Sequence, residues 1–166
     1  MSNGEGLSLE ERVTRLEDVE TIKQLKFEYA RLCDAGYDGE GVGALFVDDG
    51  VWKNQQGWGE YHGPAEIAGF VTAQQPVMAW AHHALFNPVV KISDDGVSAT
   101  ATWNSIVLAT MVRTGAPDKK DAVFISGGYE DELVKVDGEW KFKLMNSIVY
   151  YVSNLDEGWV RQPLRQ

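Results

Sequence analysis

Ser8 followed by Glu11 is a capping-box signal, and apolar residues then recur at Leu9, Val13, Leu16, Val19, Ile22, Leu25, Tyr29 and Leu32. Steps of three and four residues put them along one face of a long helix, because 3.6 residues complete a turn. Gly36, Gly39, Gly41 and Gly43 interrupt the helical pattern after Leu32. Val42, Leu45 and Phe46 then predict a short helical piece ending at Asp48 and Asp49, a pair that reads as a solvated turn. Short strands at 51–54 and around Tyr61 precede another helix, opened by Gly63-Pro64 and carried by Ala65, Ile67, Phe70 and Val71. Proline suits the first helical position, where no amide donor is needed.

From His82 onward the period is that of strands, at 82–92, 97–113, 122–136 and 139–153, with Asp94-Asp95-Gly96 and Asp137-Gly138 as turns. Four long strands in succession predict an antiparallel, strongly bent sheet. Helices first and a meander afterwards make an α+β domain: a cone-shaped barrel whose curved sheet wraps around the N-terminal helices. Residues 1–7 read as a disordered lead-in, 8–155 as the single domain and 156–166 as a C-terminal tail that is loosely ordered from Gln162 to Gln166.

Composition narrows the function. The 166 residues, 44% hydrophobic, with six each of Trp, Tyr and Phe, suffice for one sizeable core. A formal charge of −10 and scattered Lys and Arg argue against a nucleic-acid partner, which needs a basic stripe. Cys33 is the only cysteine, so no internal disulfide forms, and it reads as a packed side chain in a reducing compartment. With no signal-like N-terminus and no apolar run of membrane-spanning length, a cytoplasmic protein without a membrane partner is expected.

Candidate chemistry centres on His83, Asp34 and Tyr29. A neutral imidazole takes a proton from carbon only if held in one tautomer with its charged form stabilised, which an adjacent carboxylate does. Each residue also has a plainer reading: His83 as a satisfied structural histidine, Asp34 as a turn residue after the helix. Tyr29 and Asp34 are five residues apart and point roughly 140° away from each other in an unbroken helix. For both to reach one pocket, the helix must end or unwind near Cys33. His82 falls on the opposite face of the strand from His83 and reads as structural, and His62 reads as a surface turn residue. Trp52, Trp80, Phe86 and Trp103 are candidate walls for an aromatic ligand, or core; Asn104 and Asn146 are candidate polar contacts, or structural amides. Three dispersed histidines without HxH or HxxxH spacing give no metal site, and neither a phosphate loop nor a nucleotide fingerprint appears, so no cofactor is expected.

The helical Leu9-Glu-Glu-Arg-Val13 opening, Tyr29-x4-Asp34, His83-x4-Pro88, Gly127-Gly128 and Asp137-Gly-Glu-Trp140 carry a resemblance to the nuclear transport factor 2-like superfamily, within its SnoaL-like branch. Within that branch the likeness is to lyases of the bile acid 7α-dehydratase, dehydrochlorinase and scytalone dehydratase kinds. The resemblance implies His83 as base, Asp34 as its orienting partner and Tyr29 as hydrogen-bond donor. Where these relatives have an arginine in the last strand, this chain offers Met145, which then becomes a substrate contact; the dehydrochlorinase lysine has no counterpart.

The expected activity is a cofactor-independent lyase on a hydrophobic aromatic or polycyclic molecule, releasing water or a small carbon fragment such as formaldehyde from lignin-derived diaryl compounds. A ketosteroid isomerase-like or polyketide cyclase-like isomerase, and a non-catalytic binder of hydrophobic ligands, are the alternatives. Apolar residues on both sides of the long strands predict a homo-oligomer, trimer or dimer.

Overall fold

The computed structural model of the chain describes residues 6–165. The first five residues of the expected lead-in and Gln166 lie outside the described part. Helix α1 (Leu9–Asp34) is followed by α2 (Gly39–Ala44), β1 (Phe46–Asn54), β2 (Glu60–His62) and α3 (Gly63–Thr72). The long strands β3 (Met78–Ile92), β4 (Ser98–Arg113), β5 (Ala116–Val136) and β6 (Glu139–Asn154) come next, and α4 (Gly158–Arg161) closes the series.

The capping box forms as predicted: Glu11 N donates to Ser8 Oγ at 3.2 Å, and Ser8 N donates to Glu11 Oε2 at 2.6 Å. Only the second half of the predicted stripe is buried, however. Leu9, Val13 and Leu16 are exposed, and the buried face runs through Asp18, Ile22, Lys26, Tyr29 and Cys33. Two charged residues therefore sit where helical spacing alone would put apolar ones. Asp18 accepts from the Trp140 indole at 2.8 Å and from Lys135 at 2.6 Å. Lys26 Nζ lies 3.0 Å from Asp131 Oδ2, with both side chains fully buried.

The six strands run in the order β2-β1-β6-β5-β4-β3. All neighbours are antiparallel except β1 and β6, which run parallel. The sheet is thus curved and unclosed, with β2 and β3 at its edges, and α1 contacts β3 and β6 on the concave side. Curvature needs close backbone approach on β5: a Cβ on Gly127 would meet Ile148 O at 2.1 Å, and one on Gly128 would meet Trp103 O at 2.5 Å.

Two expectations need correction. Phe46, Asp48 and Asp49 belong to β1, where Phe46 pairs with Phe142 and Asp49 forms an ion pair with Lys143; the neighbouring strand overrides a weak helical pattern. The tail from Gln162 to Arg165 is tied to β6 rather than loose, with Val152 N donating to Pro163 O at 3.1 Å and Arg165 N to Val152 O at 2.6 Å. No described helix is long and apolar enough to cross a membrane.

Candidate active site

Helix α1 delivers Tyr29 and Cys33 to the concave side, four residues apart and so one turn apart. The chain then reverses with Gly36 at φ 98° and Tyr37 at φ 60°. Gly36 N and Tyr37 N both donate to Cys33 O, at 3.2 and 3.0 Å, and Asp38 N donates to Leu32 O at 3.1 Å. This tight cap leaves Asp34 as the last helical residue and turns Tyr37 back onto the His83 ring, edge-on at 6.2 Å between centroids.

Strand β3 is a sheet edge, so backbone donors on its outer side lack a strand partner. Asp34 fills that role: the His83 backbone N–H donates to Asp34 Oδ1 and Oδ2 at 3.0 and 3.2 Å. The same carboxylate takes His83 Nδ1 at 2.6 Å. An ionised carboxylate only accepts, so Nδ1 carries the proton and the Nε2 lone pair is left as the basic position. His82 Nδ1 lies 3.4 Å from Asp34 Oδ2, but its side chain is 62% exposed, against 8% for His83.

His83 forms part of the wall of a cavity of about 310 Å³, within the range of small-molecule sites. Tyr29, Cys33 and Tyr37 share that wall; Trp52 comes from β1, Phe70 and Val71 from α3, Ser105 and Val107 from β4, and Tyr129 from β5. The Tyr29 and Tyr129 rings meet edge to face at 6.0 Å. Burial raises the Tyr29 phenol well above its ordinary value, helped by neighbouring Tyr129 and Cys33 and opposed by the Trp52 indole N–H. Burial raises Tyr37 and Tyr129 in the same direction, so all three phenols stay protonated donors. The Cys33 thiol is pushed up to about 12 by burial, which removes it as a nucleophile. No three His, Cys, Asp or Glu side chains converge as a metal-binding group among the described residues.

Residues 14–146 match the family model of the SnoaL-like domain. The chain belongs to the SnoaL-like family. Among solved structures it is similar to a proposed scytalone dehydratase of Novosphingobium aromaticivorans, at 20% identity and TM-score 0.75 over 86% of this chain and 91% of the other. It is also similar to the hexachlorocyclohexane dehydrochlorinase of Novosphingobium barchaimii, at 21% identity and TM-score 0.76 over 87% and 94%. A proposed aromatic ring hydroxylase of Novosphingobium aromaticivorans matches at 24% identity and TM-score 0.73 over 84% and 94%. At such identities the likeness is one of fold.

This SnoaL-like chain brings Asp34 onto His83 and places Tyr29 on the cavity wall that His83 shares, without the unwinding that one pocket for both helix residues requires. The helix stays intact through Asp34. Tyr29 faces the cavity, while Asp34 reaches His83 from the strand edge, outside the cavity wall. Of the predicted ligand contacts only Trp52 lines the cavity. Trp80 is 54% exposed and stacks on His82, and Phe86 pairs with Asn104 on the outer side. Trp103 is buried against Phe27 beneath α1 rather than in the wall. Asn104 faces outward because side chains alternate along a strand and its neighbour Ser105 points in. Met145 is fully buried and pairs with Asp131 in the core. Asn146 donates to Glu130 Oε2 at 3.2 Å and does not reach the cavity.

Tyr37, Phe70, Ser105, Val107 and Arg165 are wall residues that sequence reasoning missed. Helical spacing from Tyr29 through Cys33 signals the inward face of α1, and strand parity around His83 signals Val107, its partner across the ladder. Nothing in the local pattern marks Arg165.

Proposed function

We propose that this protein is a cofactor-independent lyase acting on a hydrophobic aromatic or polycyclic small molecule. His83 Nε2 takes a proton from the substrate, Asp34 holds the ring and stabilises the imidazolium, and Tyr29 donates to the departing oxygen. In a dehydration the C–H electron pair becomes the new double bond, the hydroxyl leaves as water with the phenol's proton, and the proton held on His83 is returned to Tyr29 before the next turnover. In the fragment-releasing variant the base takes a terminal hydroxyl proton, and the C–C bond breaks to give formaldehyde. The released pair then forms the double bond as the neighbouring hydroxyl takes the Tyr29 proton and leaves as water, and the proton held on His83 restores the phenol.

The supporting observation is the 2.6 Å His83 Nδ1 to Asp34 contact, with the other ring nitrogen left for a largely apolar cavity that also holds the Tyr29 ring. General base catalysis contributes about 10²–10⁴-fold, so orientation and exclusion of water must supply the remainder. The reading carries a homo-oligomer with it, supported by exposed Phe86, Leu108 and Tyr150 on the strands and by exposed Leu9, Val13 and Leu16; light scattering tests this.

The activity test is a panel of diaryl propanediols and hydroxylated polycycles, with products read by mass. Loss of water, with or without formaldehyde, supports the proposal. Product of unchanged mass means isomerisation. Tight binding that survives His83→Ala, with no product from any compound, means a binding protein.

A further inference from the structure

Strand β1 lies beside β6 only as far as the pairing of Asn54 with Ser147. Beyond that point the tail occupies the same lane, with Leu164 bridging Val152 in parallel. Arg165 N donates to Val152 O at 2.6 Å, and Asn154 N donates to Gln162 Oε1 at 2.6 Å. These bonds fix the backbone of Arg165, whose side chain is 10% exposed and forms part of the cavity wall beside Met111 and Thr114.

The guanidinium is held but not saturated by the described residues. Nη2 donates to Asp121 Oδ2 at 2.8 Å, and Nη1 faces Met111 Sδ at 3.6 Å, a weak acceptor. Five N–H groups belong to this side chain, and among the described residues no further acceptor is placed on them. Asp121 is shared, because Arg113 also binds it. Two cations on one carboxylate leave a unit of positive charge there. Arg113 first, and Arg165 after it, hold the Asp121 carboxyl below the usual carboxylate range, so it stays ionised. The other charged groups nearby, Lys120 and Asp156, are of opposite sign and flank Asp121 in a separate surface recess.

We propose that Arg165 makes this end of the cavity a recognition point for an oxyanion, so that the ligand is an amphiphile with an aromatic body and an anionic end. A nearly buried guanidinium with donors that no described residue takes up favours a ligand that supplies acceptors, and its planar fork matches a carboxylate or sulfonate. His83 pairs with Val107, and Met111 lies four residues further along β4. At strand spacing the base and the cation are therefore separated by roughly 13 Å, the length of two linked rings. The proposal rests on the cavity being the ligand site of the lyase reading, and not on the chemistry at His83.

The test uses two fluorescent probes that share one skeleton, neutral phenylnaphthylamine and anionic anilinonaphthalenesulfonate, titrated at mildly alkaline pH. The intact protein is expected to bind the sulfonate about tenfold more tightly. Arg165→Gln should bring that ratio to about one with the neutral probe unchanged, since Asp121 keeps Arg113 and no carboxylate is orphaned. Arg165→Lys should keep most of the preference, and His83→Gln should leave it intact. Equal affinity in the intact protein, a preference that survives Arg165→Gln, or failure of both probes to bind overturns the proposal. The expected ratios without any elimination product overturn the lyase reading alone; product formation without them overturns this one alone.

Discussion

Asp131 and Asp34 each hold a basic side chain, and of these two pairs only the second opens onto the cavity. Asp131 and Lys26 are both fully buried, and the ammonium also sits 3.5 Å from the centroid of the Tyr129 ring. Asp34 keeps a quarter of its side chain in solvent while His83, its partner, faces the cavity. The chemistry of the contacts is alike, but the surroundings differ. In the core, burial drives the Lys26 pKa down to about 8 against the pull of Asp131, and raises the Asp131 carboxyl. That pair locks α1 onto β5. At the strand edge, Asp34 is oriented by a backbone N–H it shares with no other strand, so its effect is spent on the tautomer of a ring that a substrate can reach. Proximity of opposite charges is common to both pairs; access to the cavity is what separates them, and the proposed function rests on that difference.

The largest expected effect lies at the edge. His83→Ala should lower turnover by about 10²–10⁴-fold, and Asp34→Asn should lower it too, while thermal unfolding of both stays close to the parent. A large fall in melting temperature for Asp34→Asn would make it a second structural pair and erase the contrast.

The core pair should answer in the opposite way. Lys26→Met is expected to destabilise the fold by about 3–5 kcal/mol in urea unfolding, because it leaves a buried carboxylate unpaired. Adding Asp131→Leu should recover most of the loss, since neither charge is then buried. If the single change costs nothing, the pair is not what fastens α1.

The smallest effect is a pH dependence of stability. Between about pH 8 and 10.5 the unfolded chain holds a proton that folded Lys26 has released. The unfolded state then binds more protons, so this group's contribution to stability rises with pH. Above pH 10 the raised phenols of Tyr29, Tyr37 and Tyr129 act in the other direction. The gap in urea midpoint between parent and Lys26→Met should therefore widen from pH 8 towards 10; a constant gap argues against a depressed lysine.

Legibility in the sequence followed the range of the interaction. Periodicity gave α1, α3 and the four long strands because hydrogen-bonding geometry repeats every few residues. It misassigned Phe46, whose strand exists through its pairing with Phe142. It carried no signal that Lys26 is buried, because nothing within a few turns reveals a carboxylate 105 residues away. Trp80 and Trp103 looked alike as large rings, yet one stacks on the surface and the other packs beneath a helix. Which of the many aromatic residues face the cavity depends on strand parity combined with curvature, and only Trp52 among the predicted rings satisfies both.

By itself the sequence determined the type of α1, α3 and the four long strands and where most turns fall, since these follow from the backbone geometry of neighbouring residues. The resemblance carried by its motifs pointed to His83 and Asp34, which the structure puts in contact. Only the tertiary structure decided that Asp34 would meet His83 across 49 residues of chain, that Lys26 would be sealed from the cavity, and that Arg165 would join its wall. Such meetings depend on how far a glycine-relieved sheet curls and which strand is left at its edge, and no local pattern encodes either.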